Sequence, residues 1–199
     1  MRLVRATLST PVGPMLAFAS NEALCALEFS SDTRLSRLHT RLARFVSDHT
    51  IDDGHNAVID QTRAWLDAYF AGRSSDAHAL PLGAVGTRFE QRVWTMLCVI
   101  PPGETRSYGQ VAAQVSSTVN ASRAVGLANG ANPIAIVVPC HRVIGADGSL
   151  IGYGGGLDRK RQLLEHEERY WPTDTSLSRV VHVPHHRENK DDTQPRFEF

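Results

Sequence analysis

The sequence predicts an α/β protein in two parts. An N-terminal domain with an antiparallel sheet and helix covers residues 1–80, and a mainly helical C-terminal domain with a winged-helix-like helix-turn-helix covers residues 86–168. Short apolar runs broken by turn residues predict the sheet, capping boxes predict the later helices, and a polar stretch with Ser, Pro and Gly separates the two parts. Residues 169–199 show neither pattern and are expected to form a disordered tail.

The N-terminal part predicts strands first and helices second. Residues 3–29 hold short apolar runs interrupted by the turn residues of 10–14, which is typical of antiparallel strands. Residues 34–45 and 59–70 carry apolar side chains at helical spacing.

Capping boxes mark two helices in the C-terminal part. Thr87 with Glu90 opens a core helix, and Ser107 with Gln110 opens a shorter one. A further short helix is predicted over 119–128, and the last two helices predict a helix-turn-helix. That pattern alone is a weak signal of DNA binding, because helical hairpins are common in proteins that never bind DNA.

The rest of this part predicts a strand, a loop and a helix. The β-branched run 134–138 predicts a buried strand, which delivers the chain to Cys140. A glycine-rich loop over 152–156 and a charged amphipathic helix over 157–167 follow.

Composition limits the function classes. The 199 residues carry 21 Lys plus Arg and 21 Asp plus Glu, so the chain lacks the basic excess of proteins that grip many phosphates, and any nucleic-acid contact must be local. The basic residues near the motifs form either one small basic face or scattered solvated charges: Arg106, Arg123, Arg142, Arg159, Lys160 and Arg161. No signal peptide or transmembrane run is recognisable, and three cysteines without a paired spacing suit a reducing compartment, so a cytoplasmic protein is expected.

Cys140 is the candidate nucleophile among the three cysteines. Cys25 and Cys98 lie in apolar runs and are expected to pack, whereas Cys140 is flanked by His141 and Arg142 in a polar, cationic setting that favours the thiolate. A histidine is the natural base for such a thiol, and a carboxylate can orient it. Spacing does not settle which histidine and which carboxylate serve, and a Cys-His pair that merely ends a strand is the alternative.

The order of these motifs resembles the O6-alkylguanine-DNA alkyltransferases of bacterial type. The matching segments are 100–109, 123–126, 132–133, 139–145, Gly148, Tyr153, 155–157, Lys160 and 163–167. The strong part of the resemblance covers about residues 86–168, and the N-terminal part is similar to the family's more variable domain.

The resemblance implies a single-use alkyl transfer. Cys140 accepts the alkyl group, His141 acts as its base through a water, and Glu167 orients His141. The product is a thioether with no easy leaving step, so one molecule repairs one lesion. O6-alkylguanine in double-stranded DNA is the implied substrate, and O4-alkylthymine is a further candidate.

Three more residues receive supporting roles from the resemblance. Tyr108 bonds or protonates the purine as it leaves, Lys160 supports the loop beside it, and Asn132 braces the turn before the active site. A surface asparagine before proline is the alternative for Asn132.

The resemblance also implies how the lesion is reached. A base inside a duplex must be flipped into a pocket, and Arg123 is implied to fill its place in the stack while the helix enters the minor groove. The small residues Ala121 and Ala128 are expected to suit a narrow groove. The substrate-binding set is completed by Val143, Tyr153 and Gly154.

The sequence departs from the family at two positions. Val119 stands where many relatives have proline, and Gly154 stands where some have serine, which predicts a roomier pocket for larger alkyl groups. The zinc ligands of some eukaryotic members have no counterpart here, so no metal and no cofactor are expected. A monomer without membrane contact is expected.

Three rival functions remain. A lesion-binding relative without an acceptor cysteine is disfavoured by Cys140. A cysteine hydrolase using Cys140 and His141 would turn over repeatedly on a soluble ester or amide. A transcriptional regulator that senses alkylation would need a cysteine-rich domain for which the chain has no room.

Overall fold

The computed structural model describes residues 1–46, 48–116 and 121–173, and it has the predicted α/β architecture. Its strands are β1 Arg2–Leu8, β2 Met15–Ala19, β3 Leu24–Phe29, β4 Thr50–Asp53, β5 Arg106–Ser107 and β6 Val143–Ile144. Its α-helices are α1 Asp32–Phe45, α2 Ala57–Phe70, α3 Arg88–Cys98, α4 Tyr108–Val115, α5 Ala121–Gly130 and α6 Leu157–Tyr170.

The N-terminal sheet has the strand order β3-β2-β1-β4. The first three strands are antiparallel, as predicted, but β4 adds to β1 in parallel. The sequence gives no apolar alternation for β4, because three of its four residues are exposed or charged at a sheet edge. The sheet is therefore mixed rather than purely antiparallel.

Helices cover both faces of this sheet. α1 buries Leu38 and Leu42 with Phe18 and Cys25 in a small core of its own. α2 packs on the other face, in the larger core that continues into the C-terminal part. The predicted packing role of Cys25 is confirmed by its burial in the smaller core.

The C-terminal helices begin where the capping boxes predict. Thr87 caps α3 and Ser107 caps α4, each with the reciprocal bond from the third helical residue. The indole Nε1 of Trp94 donates to the carbonyl of Ala128 at 2.9 Å and fixes α3 against α5. The predicted entry residue of the second helix, Val119, lies outside the described residues.

The predicted strand over 134–138 is wrong. Ile134 makes one isolated bridge with Leu27, and the chain then turns on itself, with Val138 N bonded to Ile134 O at 3.0 Å and Ile136 at φ 70. The segment is as buried as a core strand would be, which is why its apolar run misled the prediction. Cys140 consequently follows a compact turn, not an extended strand.

Helix α6 joins the two parts and passes the predicted domain end at 168. It continues to Tyr170, and Trp171 then stacks on Tyr69 of α2 with ring centroids 5.7 Å apart. The rest of the predicted tail, 174–199, lies outside the described residues. Across the described part of the chain, no helix has the length and apolar character needed to span a membrane.

Candidate active site

Cys140 opens a single 3-10 turn, Cys140–Arg142, that places three functional side chains in the interior. Cys140 is 6% exposed, His141 is fully buried and Arg142 is 3% exposed. Side chains of a 3-10 turn diverge by about 120° per residue, so the sulfur, the imidazole and the guanidinium leave in three directions.

Asn132 shapes the turn that carries Cys140. Its side-chain amide donates to the carbonyls of Val138 at 2.9 Å and Ile134 at 3.3 Å, and its oxygen accepts from Ile134 N at 3.0 Å. It is 1% exposed, so these bonds replace the partners that an isolated turn would find in water. A surface position for Asn132 is thereby excluded, and the bracing geometry expected of it is present.

Glu167 of α6 gathers hydrogen-bond donors from both parts of the chain. Its Oε1 accepts from His141 Nε2, Tyr69 OH and Arg142 Nη2, each at 2.8 Å. Its Oε2 accepts from Arg142 Nε at 2.9 Å and from Gly103 N at 3.2 Å. Burial works to raise the pKa of Glu167, but the charges and hydrogen bonds of His141 and Arg142 outweigh it and hold that pKa far below its usual range.

The bond to Glu167 decides the tautomer of His141. An ionised carboxylate only accepts, so Nε2 carries the proton and the neutral ring has its lone pair on Nδ1. That Nδ1 is buried and has no hydrogen-bond partner among the described residues. Burial lowers the pKa of His141, and the opposing influence of Glu167 does not reverse this, so the resting ring is neutral and able to take a proton.

The prediction that His141 and Arg142 give Cys140 a cationic setting that favours the thiolate is wrong. Arg142 turns away to Glu167 and to the carbonyl of Ile100. Burial raises the pKa of the Cys140 thiol, while the hydrogen bond with Asn132 and the charge of Arg34 lower it less. The resting site is therefore a neutral thiol beside a neutral imidazole.

Lys160 and Tyr108 hold the loop that follows the turn. The ammonium of Lys160 is fully buried and donates to the carbonyls of Val143 at 2.6 Å and Ile151 at 2.5 Å, and burial lowers its pKa to about 8. The hydroxyl of Tyr108 donates to the carbonyl of Gly152 at 3.2 Å. Burial raises the pKa of Tyr108 to about 12, which keeps that hydroxyl a donor at neutral pH.

The space beside Gly154 is filled by a side chain, and the tolerance of larger alkyl groups stays a prediction. A Cβ at this position would lie 2.4 Å from Nη1 and 2.6 Å from Cζ of Arg34, so an arginine from α1 occupies the space beside the glycine. Arg34 is paired with Glu28, and it donates to the carbonyls of Gly130 and Asn132, both at 3.1 Å.

Tyr153 belongs to the glycine-rich loop and faces His141 of the turn Cys140–Arg142. Its ring meets His141 edge-on at 6.4 Å between centroids, and its hydroxyl is buried with no partner among the described residues. Val143 is fully buried, and its carbonyl is the acceptor for Lys160. The substrate-binding roles of both residues stay predictions.

Helix α5 does not expose all the residues that were predicted to enter the groove. Arg123 is exposed on α5, but Ala121 and Ala128 are 8% and 3% exposed and lie on the face that packs against the core. Their spacing places Ala121 and Ala128 on one helix face with the buried Val125. Arg123, Ala124 and Leu127 form the exposed side instead.

As a set, the basic residues near the motifs form neither of the two expected arrangements, one small basic face or scattered solvated charges. Arg142 and Lys160 are buried, Arg106 pairs with Glu104, and Arg159 donates to backbone carbonyls of Val12 and Gly155. Of the six basic residues, Arg123 is the one on the exposed side of α5.

Two family models together cover most of the chain. Residues 88–169 match the 6-O-methylguanine DNA methyltransferase, DNA binding domain, and residues 3–84 match the 6-O-methylguanine DNA methyltransferase, ribonuclease-like domain. The chain belongs to the 6-O-methylguanine DNA methyltransferase family.

Relatives in this family align along nearly their full length. The chain is 47% identical to the methylated-DNA–protein-cysteine methyltransferase of Mycobacterium bovis, over 86% of this chain and 96% of that protein. The protein of the same name from Salmonella typhimurium is 40% identical, over 84% of this chain and 96% of its own length.

Solved structures agree with this family assignment. The Mycobacterium tuberculosis O6-methylguanine methyltransferase is 44% identical with a TM-score of 0.68, covering 86% of this chain and 96% of that one. The Mycobacterium tuberculosis OGT in complex with DNA has the same identity and TM-score, covering 85% of this chain and 94% of that one. A family member of this kind transfers an alkyl group from DNA to a protein cysteine in DNA repair.

Within this family fold, the site draws on both domains. Cys140, His141 and Glu167 come from the DNA-binding domain. From the ribonuclease-like domain, Tyr69 bonds to Glu167 and Arg34 bonds to the carbonyl of Asn132. No functional role is predicted from the sequence for Tyr69, Arg34 or Glu28. A charged residue inside the apolar run 23–29 was the available signal for Glu28, since a buried charge needs a partner.

Proposed function

We propose that this protein repairs O6-alkylguanine in duplex DNA by moving the alkyl group, once and irreversibly, to Cys140. The observation that carries the proposal is the buried pair of His141 and Glu167 directly beside Cys140 in the turn Cys140–Arg142, in which the imidazole has a lone pair on Nδ1 without a partner among the described residues. Among the described residues, no such base adjoins the other two cysteines: Cys25 packs against α1, and burial raises the pKa of Cys98 to about 11.

The proton of the thiol moves first. His141 Nδ1 accepts it through a bridging water, and the resulting imidazolium is stabilised by the ionised Glu167 at 2.8 Å from Nε2. A thiol with a raised pKa is a strong nucleophile once it is ionised, because nucleophilicity falls as pKa falls.

Alkyl transfer is then a direct displacement. The sulfur of Cys140 forms a bond to the alkyl carbon while the bond from that carbon to O6 of guanine breaks, and the electron pair of that bond goes to the purine. The hydroxyl of Tyr108 donates a hydrogen bond to the departing base, where negative charge develops, and for this it leaves the carbonyl of Gly152. Lys160 keeps the loop carbonyls in place during the exchange.

The lesion reaches the sulfur by base flipping. Flipping a nucleotide costs a few kcal/mol, about the stacking and pairing that it loses. Arg123 occupies the vacated place in the stack, which its exposed position on α5 allows. In that place Arg123 offsets part of the flipping cost. It does not read the DNA sequence, as repair of damage at any sequence requires.

The mass of the intact protein tests the reaction. After incubation with duplex DNA containing O6-methylguanine, the protein should gain one methyl group, and peptide mapping should place it on Cys140. A lesion-binding protein would keep its mass, and a cysteine hydrolase would return to its starting mass after each turnover, so either result would reject the proposal.

Cysteine variants identify the acceptor. Cys140→Ala should abolish transfer while DNA binding persists. Cys98→Ala is the matched control, since Cys98 lies in the same domain but outside the catalytic turn, and it should transfer normally. Methylation of Cys140→Ala would move the nucleophile to another residue.

An arginine variant tests the flipping step. Arg123→Ala should slow repair of duplex DNA more than alkyl transfer from the free base O6-methylguanine, because the free base needs no flipping. Arg37→Ala removes an exposed arginine from α1 and should affect neither reaction. Equal losses with both substrates in Arg123→Ala would contradict the proposal that Arg123 fills the place of the flipped base.

A further inference from the structure

Tyr69 reaches the catalytic carboxylate from the other domain. Its hydroxyl donates to Oε1 of Glu167 at 2.8 Å, and His141 Nε2 bonds the same oxygen at the same distance. Tyr69 is fully buried, so water does not compete for either bond. Tyr69 and Glu167 are 98 positions apart in the chain.

The aromatic surroundings of Tyr69 fix the direction of its hydroxyl. Its ring stacks on Trp65 with centroids 5.4 Å apart and an interplanar angle of 8°, and on Trp171 at 5.7 Å and 27°. Phe70 meets the ring edge-on at 5.0 Å. A ring held on several sides keeps its hydroxyl aimed at one oxygen, at little entropic cost per bond.

We propose that Tyr69 is a positioning residue that sets the basicity of His141 by sharing Oε1 of Glu167 with it. The inference rests on the proposed function, in which His141 takes the proton of Cys140. A carboxylate oxygen that already accepts from Tyr69 is a weaker acceptor for the imidazole, so it stabilises the imidazolium less. His141 therefore stays neutral, and ready to act as a base, down to a lower pH than it would without Tyr69.

The other described groups around this cluster are charged or do not donate a hydroxyl hydrogen bond to Glu167. Arg142 faces Glu167 as its counter-ion, Lys160 and Tyr153 face His141, and the ring of His166 lies 5.0 Å from that of Tyr69. Removing the hydroxyl of Tyr69 changes one hydrogen bond to Oε1 and leaves every formal charge in place.

The experiment is a pH profile of Cys140 methylation by the free base O6-methylguanine, measured for the wild type and for Tyr69→Phe. The acidic limb should move to higher pH by about half to one pKa unit, as expected for losing part of a charge-assisted hydrogen bond. Below the midpoint of the limb, the rate should then fall about threefold to tenfold, while the plateau at higher pH stays near the wild-type rate.

The control is Trp65→Phe. Trp65 stacks on Tyr69 but donates to the carbonyl of Asp76, so this variant disturbs the packing without touching Glu167. Phenylalanine keeps an aromatic ring against Tyr69, and Phe70 and Trp171 still hold that ring, so the acidic limb of this variant should coincide with that of the wild type. A limb that moves equally in both variants, or a Tyr69→Phe rate reduced by the same factor at every pH, would show that the hydroxyl serves packing alone.

A second measurement needs no substrate. Nitrogen-15 NMR of the His141 ring should give a higher pKa in Tyr69→Phe than in the wild type, and an unchanged pKa would overturn the proposal. If Tyr69→Phe does not fold, 3-fluorotyrosine placed at position 69 retains the ring and donates more strongly, so the limb should move to lower pH. A wild type that never methylates Cys140 would defeat the proposed function, whereas normal methylation with an unmoved limb would defeat the role of Tyr69 alone.

Discussion

The substitution Glu167→Gln tests the buried cluster most directly. Glutamine has the shape of glutamate, but it replaces one accepting oxygen by an amide group that only donates. Both oxygens of Glu167 face donors, so in either orientation the new amide points at a group that also donates. The side chain of Arg142, 4% exposed, also loses its counter-ion.

The expected loss of stability follows from that geometry. Breaking a buried ion pair by removing one partner costs about 3–5 kcal/mol, because the remaining charge stays buried without compensation. For a chain of this size, each kcal/mol lowers Tm by roughly 2–4 °C, so the fall should be roughly 6–20 °C. Differential scanning calorimetry at pH 7 measures it. Glu165→Gln, an exposed position on the same helix, is the control and should leave Tm nearly unchanged.

The pH dependence gives a second reading of the same substitution. The pKa of Glu167 is depressed on folding, so its stabilisation is fully present above the unfolded value of about 4.3 and is lost as pH falls toward the folded value. The difference in Tm between the wild type and Glu167→Gln should therefore shrink below about pH 4.

Alkyl transfer supplies the functional reading. Loss of the carboxylate leaves the imidazolium of His141 without its anion, and the rate should fall by about 10²-fold or more. A Glu167→Gln protein with the stability of Glu165→Gln and an unchanged transfer rate would refute the assignment of this cluster.

Three further predictions concern the loop around the pocket. Gly154→Ala should destabilise the protein, because the new Cβ would lie 2.4 Å from Arg34. In a urea-unfolding double-mutant cycle with Arg34→Ala, the losses of stability should be less than additive by about 0.5–3 kcal/mol. Additive losses would show that the two positions do not touch. Lys160→Met should cost about 1.5–3 kcal/mol per lost bond to the carbonyls of the loop and slow transfer to Cys140, and wild-type values of both would remove Lys160 from its supporting role. Tyr153→Phe should raise the free energy of unfolding by up to about 1 kcal/mol, since its buried hydroxyl lacks a partner among the described residues; a clear loss of stability would reveal a partner.

Local signals in the sequence predicted the elements that local interactions determine. The capping boxes at Thr87 and Ser107 are closed within four residues, so their sequence pattern is sufficient, and both are present in the structure. The sheet of the N-terminal domain was likewise predicted from its turns. The parallel edge strand β4 was not, because its pairing with β1 leaves no mark on its own residues.

The segment before Cys140 shows why an apolar run is ambiguous. Residues 134–138 are mostly β-branched and buried, as in a core strand, yet only Ala135 bonds to a strand, at Leu27, and the other backbone bonds go mainly to the segment itself and to Asn132. Burial was thus predictable from side-chain type, whereas the backbone partner was decided by one asparagine amide.

The candidate site divides in the same way. The motif around Cys140 and the position of Glu167 followed from the resemblance, but Tyr69 and Arg34 contact the site from 98 residues away in the chain. The expected cationic setting of the thiol failed for the same reason, since the direction of Arg142 depends on Glu167, which is 25 positions further along.

The burial of Cys140, His141 and Glu167 gives a reason for the neutral resting state. Desolvation raises the pKa of the thiol and lowers that of His141, so both effects oppose a stored thiolate and imidazolium pair. Under the proposed single-use reaction the protein gains from this, because thiolates are the form that oxidants attack. The ionised Glu167 then acts only when a proton reaches His141, and the hydroxyl of Tyr69 sets how strongly it acts. The pH at which Cys140 begins to react is, on this argument, determined jointly by the two domains, and the acidic limb of the Tyr69→Phe profile measures the contribution of the N-terminal one.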